Sequence, residues 1–139
     1  MRQAVGRTFA AVGAIGAVVA TSALPWAVYG AFEIWLDSFP GWGFYLAPSA
    51  VLNLLTGWVV LTRRSDGRLP LLLAGCLSGA ATIAGAVAVA LRYDDSGAFF
   101  GPIVPAVLPS VGIGAPVAIV SALASCAALT VTLAGSSRA

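Results

Sequence analysis

Residues 69–91 read LPLLLAGCLSGAATIAGAVAVAL, and none of these side chains carries a charge. At a helical rise of about 1.5 Å per residue, such a run is longer than the roughly 30 Å hydrocarbon core of a bilayer. An apolar run of this length, without strict alternation, is typical of a transmembrane helix rather than a strand. We therefore predict that this segment crosses a membrane as a helix.

Three more charge-free stretches share this character, and they run approximately over 8–30, 43–62 and 110–134. The whole chain is 60% hydrophobic and 9% charged, whereas soluble domains carry about 25% charged residues. Its mean hydropathy is +0.98. These values predict an all-α integral membrane protein, with one transmembrane domain over 1–139. We expect a four-helix bundle with outer loops 31–42 and 92–109 and an opposite loop at 63–68.

The arginines predict the orientation of the bundle. With four spans, only Arg92 falls on the side of the two outer loops, and all others fall on the opposite side: Arg2, Arg7, Arg63, Arg64, Arg68 and Arg138. By the positive-inside rule, both termini and loop 63–68 are predicted to be cytoplasmic. All seven basic residues are arginine, and Ala and Gly are abundant. This bias favours a GC-rich bacterium, such as an actinobacterium, and hence the bacterial inner membrane.

The first apolar stretch allows a second interpretation. Arg2 and Arg7, an apolar run and then Thr21-Ser22-Ala23 also resemble a cleavable signal peptide. The apolar run continues past this point to Phe32. We therefore favour an uncleaved span.

Small and polar side chains within the spans indicate where helices pack. In span three, Gly75 and Gly79 form a GxxxG pair that Thr82 continues, which predicts a close helix–helix contact or a surface for a partner protein. Asn53 is the most polar side chain within a span, and a buried amide needs partners. We expect it to bond across helices to Ser78, Thr82 or Ser121; the alternative is a contact to a substrate or quinone.

The outer loops are rich in apolar side chains. Trp35 belongs to a belt of aromatic residues at one membrane interface, and loop 92–109 contains Phe99, Phe100 and three prolines. The prolines argue against a regular helix there. Exposed apolar loops either face the membrane or bind a partner, so we predict partner contacts at Trp35, Phe99 and Phe100.

The sequence offers few groups for chemistry. There is no histidine, and every ionisable residue other than the two cysteines and the tyrosines lies in a loop or at the end of a span. Haem, zinc and proton-transfer sites in membranes usually depend on such groups inside the protein. We therefore expect no enzymatic activity, no catalytic residue, no cofactor and no metal. A net charge of +2 does not favour nucleic-acid binding either.

The end of the first span reads Ala23-Leu24-Pro25-Trp26, and Trp35 follows in the outer loop. This pattern is similar to that of claudin-type four-span proteins, which also have both termini inside. The chain also resembles the small four-span actinobacterial proteins of unassigned function. Both resemblances imply a packing or adaptor role, and neither implies a catalytic residue.

These observations lead to one main hypothesis and two alternatives. We expect a non-catalytic accessory or stabilising subunit of a larger membrane complex, such as a transporter or cell-envelope assembly, whose partners are that complex and membrane lipids. One alternative is a small homo-oligomeric transporter or channel, lined by Ser49, Asn53, Thr56, Ser121 and Ser125. The other is a lipid- or quinone-binding subunit of a redox complex, which would use Trp35, Arg92 and Tyr93.

Overall fold

The computed structural model describes residues 1–62 and 67–135, so most of the predicted loop 63–68 and Arg138 lie outside the described residues. The protein is mostly helical, at 72%. In chain order its elements are α1 (Arg2–Ser22), β1 (Ala27–Tyr29), β2 (Phe32–Ile34), a 3-10 helix (Leu36–Ser38), α2 (Gly43–Thr62), α3 (Arg68–Ala90), α4 (Ser96–Phe100), β3 (Pro109–Val111) and α5 (Gly114–Gly135).

Four of these helices, α1, α2, α3 and α5, are long and apolar enough to cross a membrane. Helix α2 has the predicted bounds, and α3 differs from its prediction by one residue at each end. Large apolar side chains on these helices face outward, among them Leu54, Leu61 and Leu77. An outward apolar surface on every long helix is what a lipid environment requires.

The prediction that the first helix extends to Gly30 is wrong, because α1 ends at Ser22. Pro25 has no amide hydrogen, and its ring disfavours helical geometry in the residue before it. The indole of Trp26 turns back and donates a hydrogen bond to the Ala20 carbonyl at 2.8 Å. This bond satisfies a carbonyl near the end of α1, where helices leave acceptors without intrahelical donors.

The predicted start of the fourth span at Ser110 is also wrong, because α5 begins at Gly114. Pro116 therefore lies in the first turn of the helix, where the missing amide hydrogen costs no intrahelical bond. Pro116 therefore marks the start of α5.

The helical bundle is consistent with the all-α prediction, and a small antiparallel sheet that was not predicted is added to it. Its strand order is β2-β1-β3. In register, Ala27 pairs with Ile34 and Val111 at one end of the sheet, and Tyr29 pairs with Phe32 and Pro109 at the other. The sheet, α4 and the 3-10 helix sit together at one end of the bundle. We call residues 23–42 and 91–113 the cap.

Helix α5 lies at the centre of the bundle and packs against α1, α2 and α3. Its contact with α1 depends on glycine. A methyl group at Gly13 would lie 2.9 Å from the backbone nitrogen of Ser125 and 3.0 Å from the carbonyl oxygen of Ser121. Small residues let helix backbones approach closely, and close approach is the main source of packing energy between helices in lipid.

Candidate functional site

The polar side chains inside the bundle bind to each other and to nearby carbonyls. Asn53 on α2 accepts a hydrogen bond from the Ser125 hydroxyl on α5 at 2.9 Å and donates its own amide hydrogen to the Ser49 carbonyl at 2.9 Å. The Thr56 hydroxyl donates to the Ser125 carbonyl at 3.4 Å. Asn53 therefore makes an interhelical bond, as expected.

The predicted partners of Asn53 are wrong, because its bond goes to Ser125. The hydroxyls of Ser78 and Thr82 donate at 2.7 Å to carbonyls one turn back in α3, and Ser121 does the same at 2.6 Å in α5. Serine and threonine often satisfy their hydroxyl in this way inside a helix. Such a hydroxyl has no need of a partner on a neighbouring helix.

The side chains that could line a channel are packed in this chain. Ser49, Thr56, Ser121 and Ser125 are buried, and Asn53 is half-buried. Asn53, Thr56 and Ser125 make hydrogen bonds between α2 and α5, so they act here as contacts between helices.

The small face of α3 also lies inside the chain. Gly75, Gly79 and Thr82 are buried, and α5 covers the two glycines. A methyl group at Gly79 would lie 2.5 Å from Sγ of Cys126, and one at Gly75 would meet the Leu129 side chain. The close helix contact predicted for this face forms within the protein. The face is therefore not available as a surface for an external partner.

The cap has an aromatic core at the end of the bundle. Trp26, Tyr29, Phe39 and Tyr45 are each at most 1% exposed. The rings of Trp26 and Tyr45 lie 5.0 Å apart at an interplanar angle of 56°, which is a favourable tilted arrangement. This core links the chain that leaves α1 to the first turn of α2.

Phe99 and Phe100, predicted as partner contacts, pack against this core. The Phe99 ring lies 4.8 Å from that of Phe39, and the Phe100 ring lies 5.1 Å from that of Tyr29, both near edge-to-face. Both side chains are half-buried. Their main role in the structure is therefore to hold α4 against the rest of the cap. Of the three contact residues predicted in the outer loops, only Trp35 is exposed.

The Tyr29 hydroxyl ties the sheet to the segment after α3. It donates a hydrogen bond to the Tyr93 carbonyl at 2.7 Å. Burial raises the pKa of Tyr29, and the nearby carboxylates of Asp94 and Asp95 raise this pKa further. The phenol therefore stays protonated and keeps donating across the physiological range.

The cap also carries polar groups that sequence reasoning did not place. Asp95 caps α4, since its carboxylate accepts from the Ala98 amide at 3.2 Å. Asp94 and Glu33 are exposed, as are Arg92 and Trp35 of the suggested quinone site, whereas Tyr93 is half-buried. Among the residues that the structure describes, no group of three or more His, Cys, Asp or Glu side chains could hold a metal ion.

The exposed surface of the cap is largely apolar. It includes Phe32 on β2, Trp42 just before α2, and a loop that joins α4 to β3. In that loop the exposed fraction is 85% for Val104 and 90% for Leu108. The sequence showed that this loop was apolar, but only the structure shows which of its side chains remain uncovered.

The fold and site define the class of the protein but not its family. Four long apolar helices indicate a multi-pass membrane protein. No family model matches the chain, and neither a curated protein nor a solved structure shows significant similarity to it.

Proposed function

We propose that this protein is a non-catalytic accessory subunit that stabilises a larger assembly in a bacterial inner membrane, such as a transporter or cell-envelope assembly. The observation that carries the proposal is the apolar surface of the cap. Contiguous apolar surface on a protein generally marks a site of interaction with a partner or a membrane. The polar groups inside the bundle are occupied in packing, which favours a structural role over transport through this chain.

The proposed orientation places the cap on the outer side and both termini in the cytoplasm. Arg7 on α1 and Arg68 at the start of α3 lie at the end of the bundle opposite the cap. Positive charge near the ends of spans is retained on the cytoplasmic side. Arg92 is the one basic residue of the cap.

The orientation can be tested by cysteine labelling in intact cells. Both native cysteines are replaced by alanine, and single cysteines are introduced as Ser110→Cys in the cap and Gln3→Cys near the start of α1. Both positions are exposed. We expect a membrane-impermeant maleimide to label the first variant in intact cells and the second only after permeabilisation. The reverse pattern would show that the cap is cytoplasmic.

The accessory role can be tested by mild extraction. The full chain, with a small terminal tag, is extracted in a gentle detergent or directly into lipid nanodiscs, and the purified particle is weighed and its proteins identified. We expect a particle much heavier than the 13.9 kDa chain, with a second protein in constant ratio. Recovery of the chain as a lone monomer under both extraction conditions would contradict the proposal.

A further inference from the structure

The apolar loop 101–108 lies at the end of the sheet that is remote from the long helices. At the near end of the sheet, the Gly112 amide donates to the Trp26 carbonyl and the Gly114 amide to the Pro25 carbonyl, both at 2.9 Å. These bonds join the sheet to the start of α5. At the remote end of the sheet, Tyr29 pairs with Phe32 and with Pro109, and loop 101–108 leads directly into Pro109.

Packed residues hold this loop in place on both sides. Before the loop, the Phe100 ring contacts the rings of Tyr29 and Phe32 at 5.1 and 6.3 Å. Within the loop, Val107 packs against the turn between β1 and β2, where a methyl group at Gly30 would lie 3.2 Å from Cγ1 of Val107. The exposed side chains of the loop therefore project from a segment that is packed against the sheet.

Four strongly exposed apolar side chains belong to this loop and to the neighbouring end of β2, and we call them the distal patch: Phe32, Ile103, Val104 and Leu108. Each is at least 66% exposed. No charged residue occurs between Ser96 and Gly135, so the loop side of the patch is entirely uncharged.

The cap that carries the distal patch is acidic. Glu33 follows Phe32 on β2, and Asp94 and Asp95 precede α4, while Asp37 lies in the 3-10 helix. Across the cap, four carboxylates stand against the single guanidinium of Arg92, which gives a net charge of −3. A second copy of this face would bring like charges together, and anionic lipid headgroups would be repelled in the same way.

We propose that the distal patch is the docking surface for a partner protein whose extramembrane face is apolar at its centre and bordered by Lys or Arg. This deepens the proposed accessory role and rests on it. An apolar centre excludes water and supplies affinity, while complementary charges at the border select the partner.

Site-specific photo-crosslinking in living cells tests the proposal. A photoreactive phenylalanine analogue is placed at Val104 or Leu108 of the full chain, and a control is placed at Leu77, which is 71% exposed on the side of α3. We expect positions 104 and 108 to crosslink to one protein, through an apolar peptide flanked by Lys or Arg, and position 77 to give no such product. Crosslinks to lipid only, to a second copy of the chain, or to no protein would each overturn the proposal.

The exposed acidic residues of the cap provide a matched control. Replacing two exposed carboxylates by amides, Glu33→Gln with Asp94→Asn, is expected to lower the crosslink yield at least about threefold, because electrostatic attraction at the border is lost. The charge-retaining pair Glu33→Asp with Asp94→Glu should keep the yield of the unmodified chain. If the two double variants give equal crosslink yields, the proposal that the partner surface is bordered by Lys or Arg is refuted.

A second variant separates failure of this proposal from failure of the accessory role. Val104→Ser with Leu108→Ser removes apolar surface from exposed positions, so the fold should be unaffected. We expect the co-purifying protein to fall by about tenfold, a typical result when central interface residues are truncated. If the partner stays bound to this variant, the accessory role stands and the distal patch is not its docking surface. If the unmodified chain has no partner, the accessory role itself fails.

Discussion

The contact between α1 and α5 can be tested by adding one methyl group, through the substitution Gly13→Ala. The new Cβ would lie 2.9 Å from the Ser125 nitrogen and 3.0 Å from the Ser121 carbonyl oxygen, whereas ordinary contact begins at 3.4 Å. Both contacts are to backbone, so rotation of a side chain cannot relieve them. The helices must separate by the difference, about 0.5 Å, along a packed interface.

The magnitude follows from three terms. Overpacking a tight contact costs about 1–3 kcal/mol. The new methyl also meets the Ser125 hydroxyl and displaces it from Asn53, and an interhelical bond of this kind contributes on average about 0.6 kcal/mol. Alanine is favoured over glycine within a helix by roughly 0.5–1 kcal/mol, which offsets part of this cost. We expect Gly13→Ala to lower the free energy of unfolding by about 1–3 kcal/mol.

Gly57 supplies the matched control on α2. A methyl group there would meet no atom within 4 Å, so Gly57→Ala is expected to stabilise the protein by about 0.5–1 kcal/mol. Both variants are unfolded by sodium dodecyl sulfate in mixed micelles, with helix content followed by far-ultraviolet circular dichroism. The reasoning is refuted if Gly13→Ala proves as stable as Gly57→Ala.

Three further predictions concern hydrogen bonds. In a double-mutant cycle with Asn53→Leu and Ser125→Ala, we expect the unfolding free energies to show a coupling of about 0.6 kcal/mol. If the effects of the two substitutions simply add, the hydrogen bond between Asn53 and Ser125 does not contribute to stability. Tyr29→Phe should lower the free energy of unfolding by about 1 kcal/mol, because it removes the hydrogen bond to the Tyr93 carbonyl. Tyr45→Phe should leave this free energy unchanged or raise it, because within residues 1–62 and 67–135 the Tyr45 hydroxyl is a buried group without a hydrogen-bond partner. The pKa of Tyr29 is raised above its ordinary value of 10.0. The stabilisation that the protonated Tyr29 hydroxyl gives the folded state is therefore complete below pH 10 and is lost as the pH rises through the raised pKa. An alkaline pH scan of unfolding should show this loss in the unmodified chain, and Tyr29→Phe should abolish it.

The central helices could be predicted because their signal is length and lack of charge. Helices α2 and α3 begin and end near charged or glycine-rich segments, so their bounds follow from composition. The cap could not be predicted in the same way. Residues 23–30 are as apolar as α1, and apolarity alone does not distinguish a short buried strand from the continuation of a helix. Pro25 is the one local signal for the end of α1.

The face on which a small residue lies could also not be read from the sequence. A GxxxG pair indicates that some backbone comes close, but not whether that backbone belongs to the same chain. For Gly75 and Gly79 the close neighbour is α5, because α5 lies at the centre of the bundle. The same limit applies to Asn53, whose partner depends on which helix stands opposite it.

The exposure of the distal patch is a property of a folded surface rather than of a poorly packed loop. Phe100 and Val107, at the two ends of the loop, are both in contact with the hairpin of β1 and β2. The near end of that hairpin is bonded to the start of α5, and its Trp26 ring packs against Tyr45 of α2. Any change in the position of the loop must therefore disturb contacts that extend to the bundle. Apolar residues held outward on such a base lose nothing in packing if they become polar, so their apolar character supports the proposed docking surface.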